Sequence, residues 1–180
     1  KSLTYANKLW RDNMKNKYPI MKDKPKEFFK LIPQTGVTHL FCDEDPGHNA
    51  IWDMAVSPEG RVFFSACGES YLPLYARLYE YDKKEKKLVR HFALEEKIDL
   101  HEGSLRTSKL HTAMSFMGDG WMLSATHTTS PAPSHPTWMP YEYAEHPYEG
   151  YQGSSIFMYN YETGEFRGLG TMSPRDTIYG

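Results

Sequence analysis

The stretch His48–Gly68, HNAIWDMAVSPEGRVFFSACG, and the stretch Ser108–His127, SKLHTAMSFMGDGWMLSATH, read as two copies of one plan. Each opens with alternating apolar and polar residues, the pattern of a strand with one buried face. Each then reaches a tight turn closing on an acidic residue and a glycine, Glu59-Gly60 or Asp119-Gly120, and returns through a second strand containing Ser-Ala. Glycine suits the positive φ that such hairpin turns need.

A second hairpin follows each of these. ARLYEYDKKEKKLVRHF runs from Ala76 and SSIFMYNYETGEFRGLG from Ser154, each with a strand ending at a tyrosine (Tyr81, Tyr159), a polar turn, and a strand led by Leu88 or Phe166. Two hairpins per unit, recurring about every 60 residues, predict an all-β protein, a β-propeller with four-stranded antiparallel blades. The predicted parts are a lead-in strand over 36–47, a first blade over 48–107, a second over 108–174 with an insertion over 128–153, and the start of another over 175–180. Residues 1–35 are different. They are rich in Lys, and Leu3, Ala6, Leu9, Trp10 and Met14 recur at helical spacing before Pro19. A short amphipathic helix and a proline-punctuated linker are expected there, forming an N-terminal arm.

Propellers close with about four to eight blades. Two blades and a start therefore predict that further blades or another protein chain complete the ring and cover its open edges. The chain opens at Lys1 with neither an initiator Met nor an apolar leader, as a processed chain or a fragment would, and its start leaves the compartment open.

Lys plus Arg number 21 and Asp plus Glu 23, so no excess charge points to a nucleic-acid partner or a membrane surface. No run of about 20 apolar residues occurs, and no membrane span is expected. Aromatic residues make up 14% of the chain, with 13 tyrosines; such side chains fill β cores and also stack on sugar rings. Cys42 and Cys67 form no C-x-x-C pair and are expected as buried free thiols, with a disulfide or metal ligation as alternatives.

His111 heads the first strand of the second unit and His127 ends its partner, with the turn Gly118–Gly120 about midway. Antiparallel pairing therefore returns His127 close to His111. His48 and Asn49 head the first unit and fall on the same end. The insertion leaves from His127 and carries Trp138, Tyr141, Tyr143, Tyr148 and Tyr151, stiffened by Pro131, Pro133, Pro136, Pro140 and Pro147. It reads either as a ligand wall over that face or as a loop packed on a neighbour. The histidines have three readings: structural hydrogen-bonding residues, ligands of a divalent metal (His111, His127 and His48), or acid/base groups working with a tyrosine. No H-E-x-x-H, G-x-S-x-G, phosphate-loop or dinucleotide motif is present. Asp43, Glu44 and Asp45 read as a turn.

The segment KLHTAMSFMGDGWMLSATH (Lys109–His127) resembles the K-(I/L)-H-T/S…D-G…(G/A)-T-H blade of secreted bacterial propellers, among them polysaccharide lyases acting on ulvan and oligogalacturonate. The resemblance implies a carbohydrate-active propeller that cleaves a uronate-containing oligo- or polysaccharide by β-elimination, in the periplasm or outside the cell. It implies His111 and His127 as the histidine pair, with Tyr151 or Tyr148 as the acid/base tyrosine. Arg175 would meet the uronate carboxylate, and His48, Asn49, Trp138, Tyr141 and Tyr143 would contact substrate. Two other functions fit the same pattern: a noncatalytic propeller subunit used for binding or assembly, and a metal-dependent propeller enzyme with histidine ligands.

Overall fold

Alternation becomes strand throughout the described part of the chain, which comprises Leu40, His48 and residues 50–68, 74–111, 114–130 and 146–179 of the computed structural model. The helix expected within 1–35, all but Leu40 of the lead-in strand, and residues 131–145 of the insertion lie outside the described residues. All described strands fall in the compact unit Gly47–Gly180.

The first sheet is an antiparallel meander, β1 (Ala50–Val56), β2 (Val62–Cys67), β3 (Arg77–Asp82) and β4 (Lys87–Ala93), paired in that order. A single 3-10 turn, Leu94–Glu96, follows it. In the second sheet β5 (Lys109–Leu110) and β6 (Ser115–Gly118) both pair with β7 (Trp121–His127), followed by β8 (Ser155–Asn160) and β9 (Phe166–Thr171). β5 and β6 together stand where β1 stands in the first sheet. The described protein is all-β, built from antiparallel four-stranded sheets, with almost no helix.

Strand register shows how alike the two sheets are. Val62 pairs with Tyr81 and Met122 with Tyr159, so Tyr81 and Tyr159 are equivalent, and with them Gly60 and Gly120. Both glycines adopt positive φ, 81° and 75°. The outer pairs break register at the same place, between Leu78 and Tyr79 in one sheet and between Ile156 and Phe157 in the other. The two Ser-Ala pairs, in contrast, are not equivalent. Register matches Ser65 with Ala125 and Cys67 with His127, a one-residue offset. Because successive side chains point to opposite faces, that offset moves the serine from one face to the other.

The two sheets pack against each other through non-equivalent faces. Phe63, Leu78 and Phe92 from the first pack against Met122, Phe157 and Tyr159 from the second, with Leu110, Met114 and Tyr161 completing the core. The ring of Phe92 meets Tyr159 and Phe157 edge-on, at centroid distances of 4.8 and 5.9 Å, the geometry that aromatic quadrupoles favour. By equivalence, the face that the first sheet turns toward the second (Phe63, Ser65, Cys67, Leu78) corresponds to Leu123, Ala125, His127 and Ile156. These residues line the far face of the second sheet.

A polar bridge runs beside this core. Arg61 grips Glu80 through two hydrogen bonds of 2.7 and 2.6 Å and reaches Glu162 of the second sheet at 2.5 Å. His91 is the extra residue at the bulge between Arg90 and Phe92, which aims its ring inward. It lies 2.9 Å from Glu80 and 3.0 Å from the Tyr159 hydroxyl across the interface. Near the other end, the buried Asp53 carboxylate accepts the Met114 amide at 2.8 Å, joining β1 to the start of β6.

Candidate functional site

β5 and β7 bring the histidine pair together. Lys109 pairs with His127 and Leu110 with Thr126, so His111, one residue beyond β5, stands beside the end of β7. The two imidazole centroids are 5.3 Å apart and nearly perpendicular. His127 is 5% exposed and His111 is half-buried. The Nδ1 atoms of both are buried without a hydrogen-bond partner. Two adjacent buried ring nitrogens left unsatisfied are costly, and such groups in a folded protein call for a functional explanation.

Three further side chains complete the cluster. Tyr179 lies 4.9 Å from His111 and 4.8 Å from His127 by ring centroid, so three rings form a near-equilateral triangle. Trp52 stacks on His111 at 4.8 Å. Register explains this contact: Ile51 pairs with Ala66 as Leu110 pairs with Thr126, so Trp52 holds in the first sheet the place that His111 holds in the second. The ammonium of Lys109 stands 3.8 Å from the Trp52 ring centroid.

This surrounding sets the charge of His127. Burial, then the neighbouring His111, then Lys109 together pull its pKa from 6.5 down to about 4. Above that pH His127 is a neutral imidazole, able to donate one hydrogen bond and accept another.

The two insertion tyrosines stand elsewhere. Tyr151 is buried, and its hydroxyl donates to the Thr126 carbonyl at 3.2 Å and pairs with Ser154 Oγ at 3.2 Å. Burial pushes that phenol's pKa up, so it remains a hydrogen-bonding group. Its position still matters, because Ser154 Oγ also accepts the Ile178 amide at 2.9 Å, next to Tyr179. Tyr151 thus buttresses both the strand carrying His127 and the segment carrying Tyr179. Tyr148 is exposed, 6.0 Å from the His101 ring. Arg175 is exposed, with φ of 67°.

The Nε2 of His48 lies 2.7 Å from the Tyr75 carbonyl. Among the described residues no three His, Cys, Asp or Glu side chains converge to hold a metal ion. The metal set expected from His48, His111 and His127 is therefore not assembled there. Cys67 is a buried free thiol, 3.2 Å from Ser65 Oγ. Asn49, Trp138, Tyr141 and Tyr143 lie outside the described residues, as does Cys42. Among the described residues no helix is long and apolar enough to cross a membrane.

Sequence reasoning missed Tyr179, Trp52 and Lys109. A signal for the first was present: RDTIYG reads as the lead-in to another unit, and lead-ins return to the histidine end. No protein-family model, curated protein or solved structure matches the chain.

Proposed function

We propose that this chain is part of a β-propeller enzyme that cleaves a uronate-containing polysaccharide by β-elimination. The propeller reading is supported by the face-to-back equivalence of the two sheets and by a repeated junction. The Ala76 amide donates to the Thr107 carbonyl at 2.9 Å, and the equivalent Ser154 amide donates to the Asp176 carbonyl at 3.0 Å. Residues 174–179 thus stand to the second sheet as the lead-in of the second unit stands to the first. Further blades, from this polypeptide or a partner, would cover the far face of the second sheet.

The observation that carries the activity is the triangle of His111, His127 and Tyr179, with two unsatisfied imidazole nitrogens and an exposed indole beside it. β-Elimination breaks the C5–H bond and the C4–O4 bond of the uronate and forms a C4=C5 double bond. A base takes the C5 proton and an acid returns a proton to the departing O4. Positioned acid/base groups and neutralisation of the carboxylate each lower that barrier. His111 is assigned as the base and Tyr179 as the acid. His127, a weak base because of its lowered pKa, is assigned to hydrogen-bond the carboxylate, with Lys109 adding positive potential. Trp52, stacked on His111 with the Lys109 ammonium over its ring, is assigned to hold both groups in place.

The test is incubation of the protein, within its complete propeller, with uronate polymers while following absorbance of the unsaturated product in the near ultraviolet. His111→Ala and His127→Ala are expected to abolish product, and Tyr179→Phe to reduce it by at least about 100-fold. Absence of product from every uronate polymer refutes the lyase reading. Binding without turnover would instead favour a noncatalytic carbohydrate-binding propeller.

A further inference from the structure

Stripping water from a guanidinium is costly, and folds ordinarily compensate with a carboxylate. Arg61 has Glu80 and Glu162, and Arg77, 5% exposed, is paired with Glu95. Arg106 departs from this rule. It is 6% exposed, and among the described residues its guanidinium meets the Tyr75 hydroxyl at 2.6 Å, the Tyr75 ring 5.1 Å from Cζ, and no carboxylate. A guanidinium carries five N–H donors in a planar fork, and here that fork is largely unused. Tyr75 accepts from Arg106, so its own O–H remains available to donate to something else.

The groups around the same tyrosine are mixed in charge: Arg77 is paired with Glu95, and the Glu95 and Asp99 carboxylates lie close enough to act on the Tyr75 hydroxyl. The Tyr75 carbonyl lies 2.7 Å from His48 Nε2 and accepts from Arg77 at 3.2 Å. The histidine pair is close along the backbone. The Arg106 carbonyl accepts from Thr128 Oγ1 at 2.5 Å, Thr128 follows His127, and Lys109 pairs with His127. At about 3.3 Å per residue, Arg106 and Lys109 stand about 10 Å apart along the extended chain.

We propose that the Arg106 guanidinium, with the Tyr75 hydroxyl, forms an oxyanion subsite beside the histidine pair, taking a carboxylate or sulfate group carried by a neighbouring sugar unit. A planar fork facing two oxygens of one anion gives the charge-assisted, bidentate contact that a lysine cannot reproduce. That the oxyanion belongs to a glycan rests on the lyase reading; that an oxyanion binds here does not.

The experiment titrates the full chain with sodium sulfate and, separately, sodium glucuronate against sodium chloride at matched ionic strength, following backbone amide shifts. Saturable shifts at Tyr75, Arg106 and Thr107 are expected with sulfate, glucuronate or both, and none with chloride. The anion that binds identifies the group recognised. Arg106→Gln is expected to weaken binding at least about tenfold. Arg106→Lys, which keeps the charge and loses the fork, and Tyr75→Phe should each weaken it less, and they carry the comparison if the glutamine variant does not fold. Lack of saturable shifts with both anions, or equal affinity in wild type and every variant, overturns the subsite. On a uronate polymer Arg106→Lys should raise KM with kcat retained. Anion binding without product defeats the lyase reading alone, whereas product with KM unchanged in Arg106→Lys defeats the subsite alone.

Discussion

Acidification from pH 7.5 to pH 5 should destabilise the fold through His127, and replacing that residue by glutamine should remove the effect. The imidazole is 5% exposed, beside His111 and near Lys109, and its pKa falls from 6.5 to about 4. The unfolded chain therefore binds a proton between these values that the folded chain refuses. For a group with a depressed folded pKa, its share of stability is whole above the unfolded pKa and declines as pH falls toward the folded one. Each pKa unit is worth about 1.4 kcal/mol, so the loss reaches about 2 kcal/mol at pH 5 and about 3 kcal/mol at pH 4. The measurement is urea unfolding of wild type and His127→Gln at both pH values. The stability difference between the two proteins should change by about 2 kcal/mol, with wild type losing more on acidification. In parallel, the His127 imidazole resonance should titrate with a midpoint near 4. Lys109→Met should move that midpoint upward only partway, because burial rather than charge is the larger cause. A midpoint between 6 and 7 in wild type, or a pH response identical in the two proteins, would refute the assignment of a dry, positive surrounding to this residue.

Three other perturbations follow. Asp53 has its pKa raised from 3.8 to about 6 by burial, so its share of stability is full below the lower value and is lost as pH rises through the upper one, opposite to His127. Asp53→Asn keeps an acceptor for the Met114 amide and should flatten the decline between about pH 4 and 6 in a pH series of unfolding curves. Glu80→Ala leaves Arg61 and His91 without their shared carboxylate and should cost about 2–3 kcal/mol in denaturant unfolding. Gly153 has φ of 100°, and a Cβ there would stand 2.4 Å from the Ser173 carbonyl oxygen. Gly153→Ala should cost more than about 2 kcal/mol and, by displacing the segment that carries Tyr179, should weaken the ring contacts of His111 and His127 seen by NMR.

Hairpin logic alone placed the histidine pair, and for a physical reason. A turn at Gly118–Gly120 and antiparallel pairing leave little choice about which residue returns beside His111, and Lys109 does pair with His127. The third member of the triangle was hidden because it depends on three-dimensional junctions. Tyr179 arrives through the Ser154–Asp176 backbone bond and the Tyr151–Ser154–Ile178 chain of hydrogen bonds, none of which has a periodicity to read. Tyr151 drew attention as an aromatic in the insertion, yet its role follows from where its hydroxyl is tied.

The repeat itself was legible, but its fine register was not. Matching Ser65 with Ser124 looks natural in the sequence, since both precede alanine, and it would place the two serines on equivalent faces. Pairing of Val62 with Tyr81 and of Met122 with Tyr159 overrules it. Only with the corrected register do Trp52 and His111 become equivalent, as do Cys67 and His127. The same shift matches His91 with Leu169, Glu80 with Met158 and Arg61 with Trp121. Where the first sheet presents a polar bridge to the second, the second therefore presents apolar side chains outward, and Leu169 is 56% exposed. Sheets that stack on unlike chemistry cannot exchange places without burying Glu80 or Arg61 unpaired, which costs more than a lost apolar contact. The order of the sheets is thus written in a few side chains at the bulge and turn, while the architecture they share is written in the alternation.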